Sequence, residues 1–224
     1  MKKLLLFSTL ILTFFASAQK ITIIPSVGYA WRTAEIADGL PSENEEYYKN
    51  LKSGLNFDIS AYYNINSSWG LGLKFSNFNA STTGDIVVFQ NSEEILYDRI
   101  TTKDQISFVG PSAMYSNFNN PTTKHKFFYD LALGLISYSS KSGSGKITGS
   151  NLGMDTNIAY QYAFTNNIFV GPKLGYTFGT LTKLKVNGRS IDLDGQKEDL
   201  GRVTLNLAVT LRFLFFIFAK INYN

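Results

Sequence analysis

The sequence contains no cysteine, a single histidine and only five prolines in 224 residues. Without cysteine, the chain can have neither a disulfide framework nor a thiolate metal site. After residue 18 the longest apolar run, from Phe213 to Ala219, has seven residues, whereas a membrane-spanning helix needs about 20. These absences exclude a disulfide-stapled secreted domain and a helical membrane protein.

The first eighteen residues have the three parts of a secretory signal peptide. Lys2 and Lys3 give a positive start, residues 4–15 are almost wholly apolar, and Ala16-Ser17-Ala18 is a small-x-small exit. The apolar part is too short for an uncleaved membrane anchor. We therefore predict a signal peptide over residues 1–18, cleavage after Ala18, and one exported domain over residues 19–224.

The charge of the mature chain does not indicate a nucleic-acid partner. Removing Lys2 and Lys3 from the 21 basic residues leaves 19 against 17 acidic ones, a net charge of +2. Nucleic-acid binding requires a basic stripe or patch, so we expect no nucleic acid among the partners.

Alternation of apolar and polar residues with period two dominates the mature chain. In residues 55–64 the odd positions are apolar and the even positions, apart from Tyr62, are polar or charged. A strand places two such sets on opposite faces, whereas a helix scatters them. Seven further segments alternate in the same way: 21–32, 69–79, 105–117, 126–138, 151–164, 168–180 and 202–213. In the segment 105–117, Ile106 and Phe108 break the alternation, and we predict a β-bulge there.

Short and long connections alternate between these strands. The short ones are residues 66–68, 118–125 and 165–167, and the long ones are 33–50, 80–104, 139–150 and 181–201. Short turns on one side and long loops on the other are typical of outer-membrane barrels, in which only alternate residues face lipid. The predicted fold class is all-β, a closed antiparallel up-and-down transmembrane β-barrel of eight strands, with ten strands as the alternative.

Aromatic residues near the strand ends fit the two boundaries of a bilayer, because amphipathic rings prefer the interface. Trp31 and Phe178 would mark the outer boundary. The periplasmic boundary would be marked by Tyr63, Trp69, Tyr115, Phe127, Tyr162 and Phe213.

The chain resembles the small outer-membrane β-barrel, or porin family, proteins of Gram-negative bacteria, similar in architecture to the OmpX and OmpA barrels. The resemblance rests on the signal peptide and on residues 109–115, 170–176 and 207–213. It implies a monomer in the outer membrane, with lipid and lipopolysaccharide as partners. Such barrels usually end on an aromatic residue of the last strand. Here eleven residues follow Phe213, so the tail 214–224 departs from that pattern.

Nine charged residues fall on the inward set of the predicted strands or at their ends. They are Arg32, Lys52, Asp58, Lys74, Asp130, Asp155, Lys173, Arg202 and Arg212. An eight-stranded lumen is just wide enough to be filled by side chains, and buried charges must pair. We therefore predict a salt-bridged plug, with an ion or proton path and catalytic carboxylates as alternatives.

Two connections carry motifs that resemble catalytic or phosphate-binding sites. His125 lies in a predicted turn between two lysines, and without a neighbouring acid and nucleophile we interpret it as a solvated turn residue. Residues 142–146, Ser-Gly-Ser-Gly-Lys, resemble a phosphate loop but lack its first glycine and its final Ser or Thr. We interpret them as an outer loop.

Acidic residues gather in the last outer connection, where they could take calcium but lack the EF-hand pattern. They are Asp192, Asp194, Glu198 and Asp199, around Gly195. The first outer connection is acidic as well, with Glu35, Asp38, Glu43, Glu45 and Glu46. We interpret both as solvated loops.

The leading functional hypothesis is a non-enzymatic envelope scaffold that displays its outer loops for interaction or adhesion, with no catalytic, cofactor-binding or metal-binding residues. Residues 85–90 and 94–99 have strand-like composition around a turn at 91–93. They predict a hairpin that protrudes within 80–104 and offers open strand edges to a protein partner. The alternatives are a small solute pore, a lipid-modifying outer-membrane enzyme and a soluble exported lipocalin-like binder.

Overall fold

A computed structural model describes residues 20–35, 42–90, 95–193, 195 and 197–214 of the chain. Within these ranges there is one helix, α1, which covers Ser42–Leu51. The strands in chain order are β1 (Lys20–Arg32), β2 (Ser53–Asn64), β3 (Trp69–Gln90), β4 (Ile95–Ser116), β5 (His125–Ser142), β6 (Gly145–Ala163), β7 (Ile168–Leu181), β8 (Lys183–Val186), β9 (Arg189–Asp192), β10 (Glu198–Asp199) and β11 (Arg202–Leu214).

Eight of these strands form one closed antiparallel ring, in which β1 to β7 follow in chain order and β11 lies between β7 and β1. The first and last strands pair from Lys20 opposite Leu214 to Arg32 opposite Arg202. A closed ring satisfies the backbone hydrogen bonds of its strands, as the interior of a bilayer requires. The predicted eight-stranded barrel is confirmed, and the ten-stranded alternative is wrong.

The third and fourth strands are much longer than a membrane crossing requires. Each has 22 residues, and they pair from Trp69 opposite Tyr115 to Gln90 opposite Ile95. A crossing strand needs about 9 to 11 residues. The pair therefore continues far beyond the membrane. We call the part within residues 80–104 the β3–β4 hairpin, and its presence confirms the predicted protruding hairpin.

The bulge predicted at Ile106 and Phe108 is wrong. Both residues pair in regular register with β3, and the register shifts at 87–89 instead. Their side chains are fully buried inside the barrel. The alternation of apolar and polar residues breaks at this point because two inward positions are apolar, while the pairing of the strand stays regular.

Two other long connections contain paired strand where loops were predicted. The β5–β6 pairing continues to Ser142 opposite Gly145, with Gly143 at φ 54° in the turn. Between 181 and 201, β8 and β9 form a hairpin beside β6, and β10 pairs with β7. Above the membrane both faces of a strand can be polar, so the period-two signal disappears there while the pairing continues.

The outside of the barrel carries a belt of large apolar side chains that are exposed. Leu73, Leu133 and Leu207 are examples, with 64%, 61% and 56% of their surface exposed. All eight predicted boundary aromatics are also exposed. Water-soluble monomers rarely expose contiguous apolar areas of this size, so the exterior fits a multi-pass location in an outer membrane.

Helix α1 lies in the first outer connection, which was predicted as a loop. Its sequence is polar, but Tyr47 and Leu51, four residues apart, are buried on one face. This face packs against β3, where a Cβ on Gly84 would lie 3.0 Å from the Tyr47 ring. Glu45 and Lys49 form an ion pair of 2.7 Å. Among the described residues, no helix is both long and apolar enough to cross a membrane.

Three predictions fall on residues that the structure does not describe. These are the signal peptide with its cleavage site, the turn at 91–93, and the tail apart from Leu214.

Candidate functional site

The middle of the lumen contains a buried ionic layer. The Lys74 ammonium lies 2.8 Å from an Asp130 oxygen and 2.7 Å from an Asp155 oxygen, and Lys173 pairs with Asp58. These five side chains are almost completely buried. Their strands place them at inward positions, as the alternation predicted. The predicted salt-bridged plug is therefore confirmed at the centre of the barrel.

Neutral donors complete the hydrogen bonding of these carboxylates. Asn157 donates to Asp130 and to Asp155, at 2.9 and 2.7 Å, and Thr177 donates to Asp155 at 2.7 Å. Asn206 donates to Asp58 at 2.8 Å. These donors supply the hydrogen bonds that buried carboxylates require, so the layer fills the centre of the lumen.

Arg202 and Arg212, also predicted for the plug, take neutral partners. The Arg202 guanidinium donates to the Ser76 hydroxyl at 2.8 Å and is fully buried. Arg212 donates to the Phe118 carbonyl at 3.1 Å and to the Asn119 side chain. Among the described residues, the Nε and Nη1 of Arg202 and the Nε of Arg212 have no hydrogen-bond partner, so each arginine is held inside the barrel by only part of its guanidinium.

An apolar layer closes each side of the ionic layer. The outer one contains Phe78, Ile106, Phe108, Ala132, Ile136, Leu181 and Leu200. The periplasmic one contains Ile24, Tyr62, Met114, Phe118, Phe128 and Phe169. Sequence analysis missed both layers, although Ile106 and Phe108 signalled the outer one by standing on the inward side of their strand.

The outer mouth of the barrel holds a second charged cluster. Arg32 pairs with Asp104 at 3.4 Å and with Glu198 at 2.7 Å, and it donates to the Asp199 carbonyl at 3.0 Å. The Tyr138 hydroxyl donates to Asp104 at 3.2 Å. Burial and the nearby Asp104 carboxylate raise the pKa of Tyr138 to about 12. The cluster joins β1, β4, β5 and β10 at one level.

Helix α1 covers part of this mouth. The Tyr47 hydroxyl donates to the Thr102 hydroxyl at 2.6 Å, which in turn donates to Ser142 at 2.8 Å. Leu51, one turn further along the helix, is buried in the outer apolar layer. The helix is thus held against the lumen by one hydroxyl chain and by apolar contact.

Asp104, Tyr138 and Tyr47 are mouth residues that sequence analysis did not single out. Asp104 fell at the end of a predicted loop, and the other two are uncharged. The signal that could have found Asp104 is its parity, because it continues the inward set of β4 past Ile106.

The remaining motifs lie apart from one another. His125 is exposed at the start of β5, with its Nδ1 2.6 Å from the Tyr160 hydroxyl. Asp192 pairs with Lys183 at 3.4 Å in the β8–β9 hairpin. Glu198 accepts a hydrogen bond from Arg32, and Asp199 accepts hydrogen bonds from the Thr33 hydroxyl and the Gly201 amide.

The predicted acidic cluster of the last outer connection is therefore not one solvated group. Asp194 lies outside the described residues. Within the described chain, no three Asp, Glu, His or Cys side chains come close enough to hold a metal ion together.

Comparison with known protein families finds no matching family model, and no curated protein is similar. Solved structures are similar. Neisserial surface protein A is 17% identical with a TM-score of 0.52, covering 88% of this chain and 98% of that one. OprG from Pseudomonas aeruginosa is 12% identical with a TM-score of 0.52, covering 88% and 97%.

A major outer membrane protein from Thermus thermophilus is 11% identical, with a TM-score of 0.53, covering 88% of this chain and all of that one. Identities this low establish the fold and nothing finer. The closed ring agrees with these three structures in fold, and the chain has the fold of the small outer-membrane β-barrels.

Proposed function

We propose that the protein is a non-enzymatic envelope barrel whose β3–β4 hairpin is the contact surface for a protein partner. One observation carries the proposal, namely the open edges of the hairpin. The β2 strand pairs with β3 only as far as Leu55 opposite Asn79, and β5 pairs with β4 only as far as Ser142 opposite Thr102. In the described part of the chain, no strand lies beside the hairpin beyond these points.

An open strand edge presents backbone donors and acceptors in a fixed spacing. Such an edge can pair with a strand from another chain. Beyond Asn79, β3 continues for eleven residues to Gln90, which corresponds to roughly 35 Å along the strand at 3.3 Å per residue. Barrel strands tilt by about 35–45°, so the height is smaller than this length, but the end of the edge still lies beyond the lipid headgroups. A partner on another cell or in the envelope would meet it there.

The interior of the barrel supports a scaffold more than a pore or an enzyme. The ionic layer and the two apolar layers fill the lumen from the outer mouth to the periplasmic end. The central carboxylates already accept hydrogen bonds from lysine, asparagine or threonine. A buried carboxylate held in this way has no free face for a substrate.

The test shortens the hairpin without opening the ring. Thr83 and Thr101 lie opposite each other with their hydroxyls 2.8 Å apart, so residues 84–100 can be replaced by Asn-Gly, a two-residue turn. Cells that display the full protein should adhere to cells of the source bacterium. Cells that display the shortened form should lose this adhesion while the barrel still shows heat-modifiable mobility on a gel.

The matched control shortens the β8–β9 hairpin on the same side of the membrane. Deleting residues 184–186 and 189–191 places the native Asn187-Gly188 turn between Lys183 and Asp192, which lie opposite each other. This control should keep full adhesion. Equal adhesion by the full-length and the 84–100 variants would contradict the proposal, and loss of the folded barrel would show that these residues belong to the ring.

A further inference from the structure

A cavity of about 410 Å³ lies at the outer mouth, between helix α1 and the barrel wall. This volume is within the range of small-molecule binding sites. Its lining includes Tyr47 and Tyr48 of α1, Arg32 of β1, Asp104 of β4 and Tyr138 of β5. Tyr47 and Leu51 also belong to the outer apolar layer, so this layer borders the cavity on the side of the lumen.

Two buried polar atoms of this wall have no hydrogen-bond partner within the described chain. They are the Arg32 Nε, which is a donor, and the Asp104 Oδ1, which is an acceptor. Both side chains are more than nine-tenths buried. Buried polar groups nearly always have a partner, and these two belong to side chains that line the cavity.

The chemistry of the two atoms defines what would satisfy them. The Arg32 Nε requires an acceptor and the Asp104 Oδ1 requires a donor, and a hydroxyl group supplies both. The lining holds two cations, Arg32 and Lys52, against three carboxylates, Glu35, Asp104 and Glu198. The lining thus has a slight net negative charge, which disfavours ligands that carry a phosphate or carboxylate group.

The cavity lining also contains three aromatic residues, Tyr47, Tyr48 and Tyr138. Tyr47 and Tyr48 pack edge to face with ring centres 5.6 Å apart, and the Tyr138 ring lies beside the Arg32 guanidinium. Binding pockets for small molecules typically combine aromatic faces with a few placed polar groups. Aromatic faces suit the C–H faces of a sugar ring, and the polar pair suits its hydroxyls.

We propose that this cavity is a binding site for a neutral sugar, with Arg32 and Asp104 holding adjacent hydroxyls and the tyrosines packing against the ring. The site is independent of the open edges of the β3–β4 hairpin. Its ligand is either a free sugar or the terminal residue of a glycan, and both offer the same hydroxylated ring. Because the outer apolar layer separates the cavity from the lumen, the cavity acts as a binding site and does not lead into a channel.

The experiment uses the full-length mature barrel in lipid nanodiscs and saturation-transfer NMR. The probes are methyl glycosides of glucose, galactose, mannose and N-acetylglucosamine, with glucuronate, glucose 6-phosphate and glycine as charged competitors. At least one neutral glycoside should receive saturation above the protein-free nanodiscs, and the charged probes should not. The same sugar at the end of an oligosaccharide distinguishes the sources, because stronger binding of the oligosaccharide indicates a glycan.

Two variants make the test specific to the cavity. Asp104→Asn removes the charged acceptor, and Tyr48→Ala removes an aromatic ring that is 36% exposed on the helix. Each should weaken binding about tenfold, as expected for a hydrogen bond to a charged group or a packed ring. The control, Asp85→Asn, changes an exposed carboxylate on β3 outside the cavity and should bind normally.

Heat-modifiable mobility confirms that each variant is folded. The proposal is overturned if no neutral glycoside binds, if a charged probe binds better than every neutral one, or if binding is unchanged in both folded variants.

Discussion

Lys74 is the residue on which the ionic layer depends. It stands on β3 and holds Asp130 on β5 and Asp155 on β6, so it connects strands that are not neighbours in the ring. A buried ion pair adds little net stability over an apolar replacement of all its members, but the loss of one member leaves an uncompensated charge. The effect of a substitution here therefore depends on how many of the three residues are changed together.

We expect Lys74→Met to lower the free energy of unfolding by about 3–5 kcal/mol, because two buried carboxylates lose their cation. The measurement is denaturant unfolding of the barrel folded into lipid vesicles. The triple variant Lys74→Met, Asp130→Asn, Asp155→Asn should recover most of this loss.

The matched control is Lys49→Met on helix α1, where the ion pair with Glu45 is more than half exposed. It should change the free energy of unfolding by less than about 1 kcal/mol. If Lys49→Met and Lys74→Met had the same effect, the ionic layer would not be the stabilising element described above.

Tyr138, at the outer mouth, makes the free energy of unfolding depend on pH in the alkaline range. Its pKa is raised to about 12 in the folded barrel, whereas a tyrosine in an unfolded chain titrates near 10. Between about pH 10 and 12 the unfolded chain loses a proton that the folded barrel keeps. The contribution of Tyr138 to the free energy of unfolding is therefore complete below pH 10 and decreases as the pH rises through this window.

The measurement compares the wild type with Tyr138→Phe at pH 9 and pH 11.5, since the other titrating groups are common to both. The free energy of unfolding should fall more in the wild type than in the variant between these pH values. A parallel fall in both proteins would show that Tyr138 ionises normally.

At the scale of the elements, three lysines lie in one cross-strand row on the outer face of β4, β5 and β6. Lys103 is opposite Lys141, and Lys141 is opposite Lys146, and all three are exposed. Within the described chain none of them pairs with a carboxylate. Like charges directly opposite each other destabilise a sheet by roughly 0.2–1 kcal/mol per pair.

Replacing the middle lysine by glutamate turns two repulsive pairs into two attractive ones. We expect Lys141→Glu to raise the free energy of unfolding by about 1 kcal/mol in dilute buffer, and the gain should shrink in 1 M salt because salt screens exposed charges. Lys185→Glu is the control, because its cross-strand neighbours are Thr148 and Ser190. A gain of equal size in the control would attribute the effect to net charge.

The strands of the ring could be predicted from the sequence because burial in lipid imposes strict alternation. Helix α1 could not, because most of its residues are polar and the only large apolar side chains described as buried in it are Tyr47 and Leu51. A weaker signal was present, since Ser42 and Glu45 have the spacing of a capping box. That signal says that a helix can start there, but not that it packs into the mouth of a barrel.

The candidate site was predictable only in part, for a similar reason. Asp58, Lys74 and Asp130 lie within the lipid-facing alternation, so their inward direction followed from their neighbours. Arg32 was predicted to point inward, but its partners Asp104 and Glu198 lie where the strands leave the membrane. There the outward positions are no longer apolar, so parity is a weaker signal. It could have placed Asp104 only by counting on from Ile106, and it could not have placed Glu198, which lies on a separate short strand.

For the whole molecule, the filled lumen predicts that the barrel does not conduct. Reconstitution in a planar bilayer should give no stable nanosiemens-scale channels, because the ionic layer lies between two apolar layers that exclude water. A sixteen-stranded porin purified in the same detergent is the positive control, since barrels of that size have an aqueous channel. Stable, large channels from the pure protein would show that the layers open in the membrane.

The mature protein is expected to start at Gln19, because Ala16-Ser17-Ala18 is a small-x-small cleavage pattern. Intact mass and N-terminal sequencing of protein extracted from membranes measure the start directly. A mature chain that retained Lys2 and Lys3 would contradict export through a cleaved signal peptide.

The charged cluster at the outer mouth joins residues that are far apart in the chain, which affects the order in which the barrel folds. Arg32 ends the first strand and lies opposite Arg202 on the last one, so closing the seam brings two cations together. Glu198, which compensates Arg32, arrives 166 residues later in the chain, just before Arg202. Contacts between such distant residues form late, because the intervening loop must be ordered first. A chain interrupted before residue 198 would therefore keep Asp104 but lack Glu198, the second carboxylate that pairs with Arg32, as well as its final strand. The complete charged cluster of the outer mouth forms only in a finished barrel.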